Sequence, residues 1–190
     1  MKALPLALIG IPEPTAAPIM APADLRAALE RHHAECLGWA MACCGFDRSE
    51  ASDVLQDTYL KVLDGRAVFR GDSAFRTWLF GVVRRTAGEY RRNVFRRVVL
   101  AWRADRHDVA SDAPDPGTVI DARTVADRLR RAMRALPVRQ RQVLHLVFHE
   151  DLTVEAAAGV MGVSVGSART HYARGKTRLR DLLGDSAELK

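Results

Sequence analysis

The chain has 190 residues, 48% of them hydrophobic and 6% aromatic, which allows one medium domain or two small ones. No run approaches the roughly 20 apolar residues that a membrane-spanning helix needs, so we expect no membrane insertion. The net charge of +6 favours a polyanionic partner such as nucleic acid, although an ordinary basic protein has the same property.

The charges are unevenly distributed. Residues 84–106 contain eight arginines against Glu89 and Asp105, whereas residues 47–64 are predominantly acidic. A basic and an acidic face in one region indicate two different partners.

The cysteines Cys36, Cys43 and Cys44 are odd in number and clustered, which excludes a disulfide framework and predicts a reducing, cytoplasmic location. His32 and Cys36 lie one helical turn apart, but no second ligand pair accompanies them. The sequence therefore predicts small buried thiols, no metal and no cofactor.

The first elements are helical. Residues 1–22 form a Pro- and Ala-rich leader that is too broken for a signal peptide, and apolar residues recur at helical spacing from Asp24. Ser49 is expected to cap a helix over residues 50–63, whose apolar stripe includes Leu63. A loop at residues 69–73 precedes a long helix from about Ala74 to Tyr90, capped by Asp72 or Ser73.

Residues 104–120 break this pattern, since they combine four aspartates with two prolines and a glycine. This composition predicts an acidic, extended linker between two helical halves. Helical periodicity resumes with Val125 and continues to Leu136.

The last third of the chain predicts a helix-turn-helix. A helix over residues 138–149 precedes a short one that Thr153 caps and that ends at Met161; after a turn at residues 162–164, Ser164 caps a longer helix to Leu183. The exposed side chains of that longer helix suit base edges and phosphates in a major groove. The alternative to a helix-turn-helix is a helical hairpin whose polar face is merely solvated. A transcription factor of the response-regulator type fits this half of the chain equally well.

Three motifs together resemble one family. Residues 53–60 (DVLQDTYL) look like the polymerase-binding helix of sigma factor region 2, and residues 69–79 (FRGDSAFRTWL) resemble the promoter-melting segment of the extracytoplasmic-function group. Residues 136–144 (LPVRQRQVL) and the helix-turn-helix after them resemble the group's region 4. The resemblance spans about Leu25 to Leu183, with the motifs in the family's order.

The resemblance implies an all-α fold of two small helical domains joined by a flexible acidic linker. The expected divisions are the leader (1–22), region 2 (23–102), the linker (103–122), region 4 with its helix-turn-helix (123–184) and a tail (185–190). The implied partners are core RNA polymerase, promoter DNA and an anti-sigma protein, and the implied activity is promoter-specific transcription initiation.

The resemblance also implies three sets of binding residues. The polymerase-binding set is Asp53, Gln56 and Asp57. The set for the minus-ten element is Arg70, Asp72, Ser73, Phe75, Trp78, Arg84, Arg85, Arg91 and Arg92, with the loop at residues 69–73 as a pocket for an unstacked base. The set for the minus-thirty-five element is Ser164, Ser167, Arg169, Thr170, His171, Arg174 and Lys176.

The two aromatic residues of the minus-ten set also fit a core position, because the spacing of Phe75 and Trp78 suits a buried stripe. The family often has Arg and Asn where this chain has Gly81 and Arg85, which predicts a different minus-ten preference.

Two other functions are compatible with parts of the sequence: a helix-turn-helix regulator that is not a polymerase subunit, and a nucleic-acid enzyme. An enzyme would need Glu50, Asp53 and Asp57 as metal carboxylates. No complementary cluster follows these residues, so no catalytic residue is predicted.

Overall fold

The computed structural model describes residues 20–104 and 125–184. Within these ranges the chain is helical and contains no strand, which confirms the predicted all-α class. The helices are α1 (Pro22–Arg31), α2 (His33–Cys43), α3 (Arg48–Leu63), α4 (Phe75–Ala104), α5 (Val125–Arg134), α6 (Val138–Phe148), α7 (Val154–Met161) and α8 (Val165–Gly184). Most of the predicted leader and linker, and the tail, lie outside the described residues.

Helices α1–α4 form an N-terminal bundle. The periodic stretch after Asp24 is divided between α1 and α2 at His32, where φ is −98° and ψ is 9°. Asp47, rather than Ser49, caps α3: its side chain accepts a hydrogen bond from the Glu50 amide at 2.9 Å. The Ser49 prediction was wrong because the helix begins earlier, with Asp47 in the extended conformation that a cap requires.

Helix α4 is longer than predicted, since it continues beyond Tyr90 to Ala104. Residues 91–104 contain neither proline nor glycine and include several arginines, which are good helix formers. Residues 91–97 are all exposed, so helix propensity rather than packing accounts for this part of the extension. The arginine-rich stretch is therefore presented on a helix as far as residue 104.

Helices α5–α8 form a C-terminal bundle with a core of small and branched side chains, among them Val143, Leu144, Ala157 and Met161. Helix α8 approaches α6 closely at the buried Gly175. A Cβ atom there would lie only 3.2 Å from two carbon atoms of Leu144, so the close packing depends on glycine.

The two bundles share one core. Trp39 and Phe80 of the N-terminal bundle belong to the same buried cluster as Leu146 and Val160 of the C-terminal bundle. The Trp39 ring stacks on His145 with a centroid separation of 5.6 Å, and its Nε1 donates to the Phe80 carbonyl at 2.9 Å.

Arginines donate to backbone carbonyls across this interface in both directions. From the N-terminal bundle, Arg84 Nε reaches the Val160 carbonyl at 2.8 Å, and Arg76 reaches the Glu150 carbonyl at 3.2 Å. From the C-terminal bundle, Arg141 Nε reaches the Ala42 carbonyl at 2.8 Å, and Arg134 reaches the Phe46 carbonyl at 3.0 Å.

Two of these acceptors, Val160 and Ala42, lie in the last turns of α7 and α2. The final carbonyls of a helix have no partner within the helix and carry its negative dipole end, so a guanidinium stabilises them. None of the described helices is long and apolar enough to cross a membrane.

Candidate nucleic-acid interface

The predicted polymerase-binding residues lie along one helix, α3. Asp53 and Gln56 are exposed, whereas Asp57 is half-buried and pairs with Lys61 at 2.9 Å. Lys61 also pairs with Glu89 of α4 at 2.6 Å, so the Asp57 carboxylate belongs to a network that joins the two helices.

An apolar stripe adjoins Gln56. Leu60 and Leu63 follow it at helical spacing and are 48% and 44% exposed. Sequence reasoning placed Leu63 in the core stripe, but it faces solvent because the core side of α3 is already filled by Val54, Leu55 and Val62. Sequence reasoning did not identify Leu60 as an exposed apolar residue. Its position one helical turn after Gln56 could have indicated that it lies on the same exposed face of α3.

The loop before α4 is held by aromatic rings. Phe69, Phe75 and Trp78 are mutual neighbours, with ring centroids 5.3 to 5.4 Å apart. Phe75 and Trp78 are half-buried, so each packs on one side and remains accessible on the other. Arg70, Asp72 and Ser73 are exposed in this loop.

A cavity of about 440 Å³ lies between this loop and α4. Trp78 and Arg85 line its α4 side, and Val68 and Arg70 line its loop side. Of the loop at residues 69–73, only Arg70 lines this cavity, where the Trp78 ring lies near three guanidinium groups and the Lys61–Glu89 pair. Such a combination suits an unstacked base and its phosphate.

The α4 arginines fall into two groups. Arg85, Arg91 and Arg92 are exposed. Arg84 is half-buried and bound to the Val160 carbonyl, and desolvation, with repulsion from Arg139, lowers the pKa of its guanidinium. Arg84 is therefore not displayed to solvent as the other three are.

The helix-turn-helix consists of α7, a turn and α8, and its predicted caps are confirmed. Thr153 Oγ1 accepts from the Ala156 amide at 3.1 Å, and Ser164 Oγ accepts from the Ser167 amide at 3.1 Å. Gly162 in the turn has φ of 59°, a left-handed conformation that favours glycine.

The outer face of α8 is polar and basic. All of its predicted minus-thirty-five residues except His171 are exposed: Ser167, Arg169, Thr170, Arg174 and Lys176. His171 is half-buried. Arg169 pairs with Glu155 of α7 at 2.8 Å, which also lowers the pKa of that carboxyl, and the Lys176 ammonium lies 4.7 Å from the Tyr172 ring centroid.

The structure places part of the predicted minus-ten set against α7 and the turn that follows it. A cavity of about 370 Å³ is lined by Trp78 and Arg84 of α4 and by Val160 and Gly162 of the helix-turn-helix. Part of the predicted minus-ten surface therefore faces the C-terminal bundle instead of solvent.

Sequence reasoning missed a polar cluster between the bundles. His145 Nε2 lies 3.1 Å from Glu150 Oε1, and Arg76 binds the other carboxylate oxygen. Burial lowers the pKa of His145. Burial alone would raise the pKa of Glu150, but hydrogen bonds from His145 and Arg76 lower it. The four-residue spacing of His145 and His149 was the signal in the sequence that could have indicated this cluster.

Comparisons with known proteins agree with this architecture. The Sigma-70 region 2 model matches residues 28–97, and the Sigma-70 region 4 model matches residues 126–179. The sigma factor YlaC of Bacillus subtilis is 30% identical over 141 residues, which cover 73% of this chain and 80% of YlaC. The sigma factor NccH of Alcaligenes xylosoxydans xylosoxydans is 27% identical over 162 residues, covering 83% and 86%.

Solved structures share the fold. The sigma factor RpoE of Bartonella quintana, in complex with the anti-sigma factor NepR, matches with a TM-score of 0.66 and 22% identity, over 85% of this chain and 97% of that one. CnrH in complex with the cytosolic domain of CnrY matches with a TM-score of 0.57 and 22% identity, over 86% and 89%. From these matches and the order of its helices, the chain belongs to the extracytoplasmic-function family of RNA polymerase sigma factors.

Proposed function

We propose that this sigma factor binds core RNA polymerase in the cytoplasm and directs it to promoters with a minus-ten and a minus-thirty-five element. The observation that carries the proposal is the presence of both sigma regions, in order, in one chain. A helix-turn-helix regulator outside polymerase would leave the region 2 match without a role. In this family the protein is a regulatory subunit, and the catalytic site belongs to polymerase.

The polymerase surface is the exposed side of α3. Gln56 supplies a polar contact, Leu60 and Leu63 supply apolar area, and Asp53 supplies negative charge. A buried apolar centre with a charged rim is typical of a stable protein interface. Asp57 acts through its pairing with Lys61, which fixes α3 against α4.

The minus-ten element is bound by the loop before α4 and by α4 itself. The cavity at Trp78 and Arg85 receives an unstacked base, and Arg70, Arg91 and Arg92 hold phosphates of the separated strand. Strand separation needs no covalent chemistry, and stacking and cationic contacts are enough to stabilise the open form. Asp72 and Ser73 contribute hydrogen-bonding groups at the exposed end of the loop.

The minus-thirty-five element is bound by α8 in the major groove. Ser167, Thr170 and Arg174 project from its exposed face, and Arg169 becomes available when it leaves Glu155. Ser164 and Ser167 lie at the helix N-terminus, where hydroxyl and amide groups suit a phosphate. The half-buried His171 and the Tyr172-bound Lys176 border this face.

In this structure the two bundles pack against each other and Arg84 is bound to α7, an arrangement that we call the closed form. The closed form is the state of the protein when it is not bound to promoter DNA. The RpoE structure that this chain resembles contains an anti-sigma factor, and we propose that an anti-sigma protein binds this chain and holds it closed. The domain limits that fit this scheme are residues 23–102 and 123–184, with residues 103–122 as the connection.

The test is reconstituted transcription. Purified protein is added to bacterial core polymerase on a library of genomic promoter fragments, and new transcripts are sequenced. We expect promoter-specific transcripts that fall at least tenfold with Gln56→Ala combined with Leu60→Ala. Glu30→Gln, which changes an exposed carboxylate on α1, is the control and should leave transcription unchanged.

A second measurement separates the partners. Binding of the variants to core polymerase without DNA should fall in parallel with transcription. Duplex DNA binding with neither polymerase association nor new transcripts would refute the proposal and indicate a separate helix-turn-helix regulator.

A further inference from the structure

We propose that His145, His149 and Glu150 form a binding site for a divalent transition-metal ion of the Zn²⁺ class, at the junction of the two bundles. Each residue offers one ligand atom, and these atoms lie within 4.8 Å of one another. The proposal goes beyond the transcription function and does not depend on it.

One ligand pair already has the spacing of a tetrahedral metal site, and the third ligand lies within 4.8 Å of both. Zn²⁺ binds imidazole nitrogen and carboxylate oxygen at about 2.0 to 2.2 Å, which places neighbouring ligand atoms about 3.3 to 3.5 Å apart. His145 Nε2 and Glu150 Oε1 already lie 3.1 Å apart. His149 is exposed, so a side-chain rotation can bring its imidazole to the same point.

The backbone fixes the arrangement. His145 and His149 are four residues apart at the end of α6, so their side chains emerge on one face of the helix. The chain then turns sharply: the Glu150 amide donates to the His145 carbonyl at 3.2 Å, and Asp151 has φ of 53°. This turn directs the Glu150 side chain back toward His145.

Residues of the other bundle support the ligands. Arg76 binds Glu150 Oε2 and leaves Oε1 directed at His145, as an orienting hydrogen-bond partner of a metal-bound carboxylate would. The charge of Arg76 is itself offset by Glu35, 3.0 Å away. Stacking on Trp39 holds the His145 ring in place.

The site is accessible from one side. A cavity of about 620 Å³, lined mainly by apolar side chains such as Met41, Leu129 and Phe148, reaches both histidines. Gly38 borders the same space: a Cβ atom there would be 3.8 Å from each imidazole, so α2 approaches without crowding the ligands. An ion can enter from this cavity, and a water molecule can fill the fourth position.

The donor set selects the class of ion. Two imidazoles with one carboxylate suit Zn²⁺ and its neighbours Co²⁺ and Ni²⁺, whereas Ca²⁺ and Mg²⁺ prefer oxygen ligands alone. Glu150 is 3% exposed, so this carboxylate is not one of the solvated acidic groups that commonly lie near each other on surfaces.

The experiment titrates the full-length protein, freed of metal, with ZnCl₂ by calorimetry and with CoCl₂ by visible absorption. We expect one ion per chain, with the absorption of a tetrahedral nitrogen- and oxygen-ligated Co²⁺. His149→Ala and Glu150→Gln should each weaken Zn²⁺ binding at least tenfold. The matched control is His33→Ala, which removes an exposed histidine of α2.

Three outcomes would overturn the proposal. The first is the absence of Zn²⁺ binding at micromolar concentration, and the second is equal binding by His149→Ala and the unchanged protein. The third is Co²⁺-thiolate absorption, which would place the ion on the cysteines instead. Because His149 is exposed, its replacement leaves the core intact and the result does not reflect misfolding.

Discussion

Arg84 on α4 donates a hydrogen bond to the Val160 carbonyl on α7, with Nε and O separated by 2.8 Å. One guanidinium thus joins the helix proposed to contact the minus-ten element to the first helix of the helix-turn-helix. Arg84 is half-buried while it holds this carbonyl. The predicted contact of Arg84 with the minus-ten element would therefore compete with this hydrogen bond, whose energy contributes to the balance.

Replacing Arg84 by alanine should loosen the two bundles. A hydrogen bond from a charged group contributes about 1.5 to 3 kcal/mol, so opening should become on the order of ten- to a hundredfold more frequent. Amide hydrogen exchange in α7 measures this opening. Arg85→Ala is the control, because Arg85 is the adjacent exposed arginine and is also a proposed DNA contact. Equal exchange in the two variants would show that the Arg84–Val160 bond does not hold the bundles together.

Gly175→Ala should destabilise the protein, although alanine is the better helix former. The helix preference of about 1 kcal/mol is opposed by an overpacking cost of about 1 to 3 kcal/mol, because the new Cβ meets Leu144 at 3.2 Å. We expect a net loss of about 1 kcal/mol in the free energy of unfolding, measured with urea. The penalty should become smaller in a chain that also carries Leu144→Ala, where the Gln140 Cβ atom at 3.3 Å is the close contact that remains.

Gly81→Ala provides the contrasting case. Nothing lies within 4 Å of a Cβ atom at Gly81 in the interior of α4, so only the helix preference applies. The free energy of unfolding should rise by about 0.5 to 1 kcal/mol. A loss of stability would indicate that α4 and α7 approach more closely at this position than the structure shows.

Thr153→Ala should cost about 1 kcal/mol of stability, because the Ala156 amide loses its side-chain acceptor at the start of α7. Thr153→Ser keeps the hydroxyl and should cost much less. Thermal unfolding of both variants checks the prediction. Similar losses from the two replacements would assign the effect to the methyl group rather than to the cap.

Stability should decrease in alkali. Burial raises the pKa of Cys43 from 9.0 to about 12. As the pH rises above 9.0, the unfolded chain loses this proton first, so the free energy of unfolding decreases between pH 9.0 and about 12. This thiol alone contributes a slope of up to about 1.4 kcal/mol per pH unit. In urea unfolding from about pH 8 to 10, Cys43→Ala should have a shallower slope, and an unchanged slope would contradict the prediction.

Local features were predictable from the sequence. Thr153 and Ser164 were identified as caps because each precedes its helix directly, and the polar face of α8 followed from helical spacing. The cap of α3 was missed because two candidates, Asp47 and Ser49, lie close together in the chain, and only the backbone conformation separates them. The end of α4 was missed because residues 91–104 contain no proline or glycine to stop the helix after Tyr90. Helix propensity therefore extends α4 through the exposed residues 91–97.

Features that join distant segments could not be predicted. The exposure of Leu63 depends on which residues already fill the core side of α3. The meeting of Arg76 with Glu150, 74 residues away, depends on how the bundles dock. Hydrophobic periodicity describes one helix at a time. It does not indicate which helix-end carbonyls will accept hydrogen bonds from arginines of other helices.

The carbonyl acceptors at the bundle interface have a consequence for the evolution of this protein. Val160, Ala42 and Phe46 accept through the main chain, so their side chains can change while the hydrogen bond persists. Compensating substitutions in pairs are then not required at these contacts, and correlated variation among relatives will under-report them. A lineage can strengthen or release the closed form by gaining or losing a single arginine, one mutation at a time.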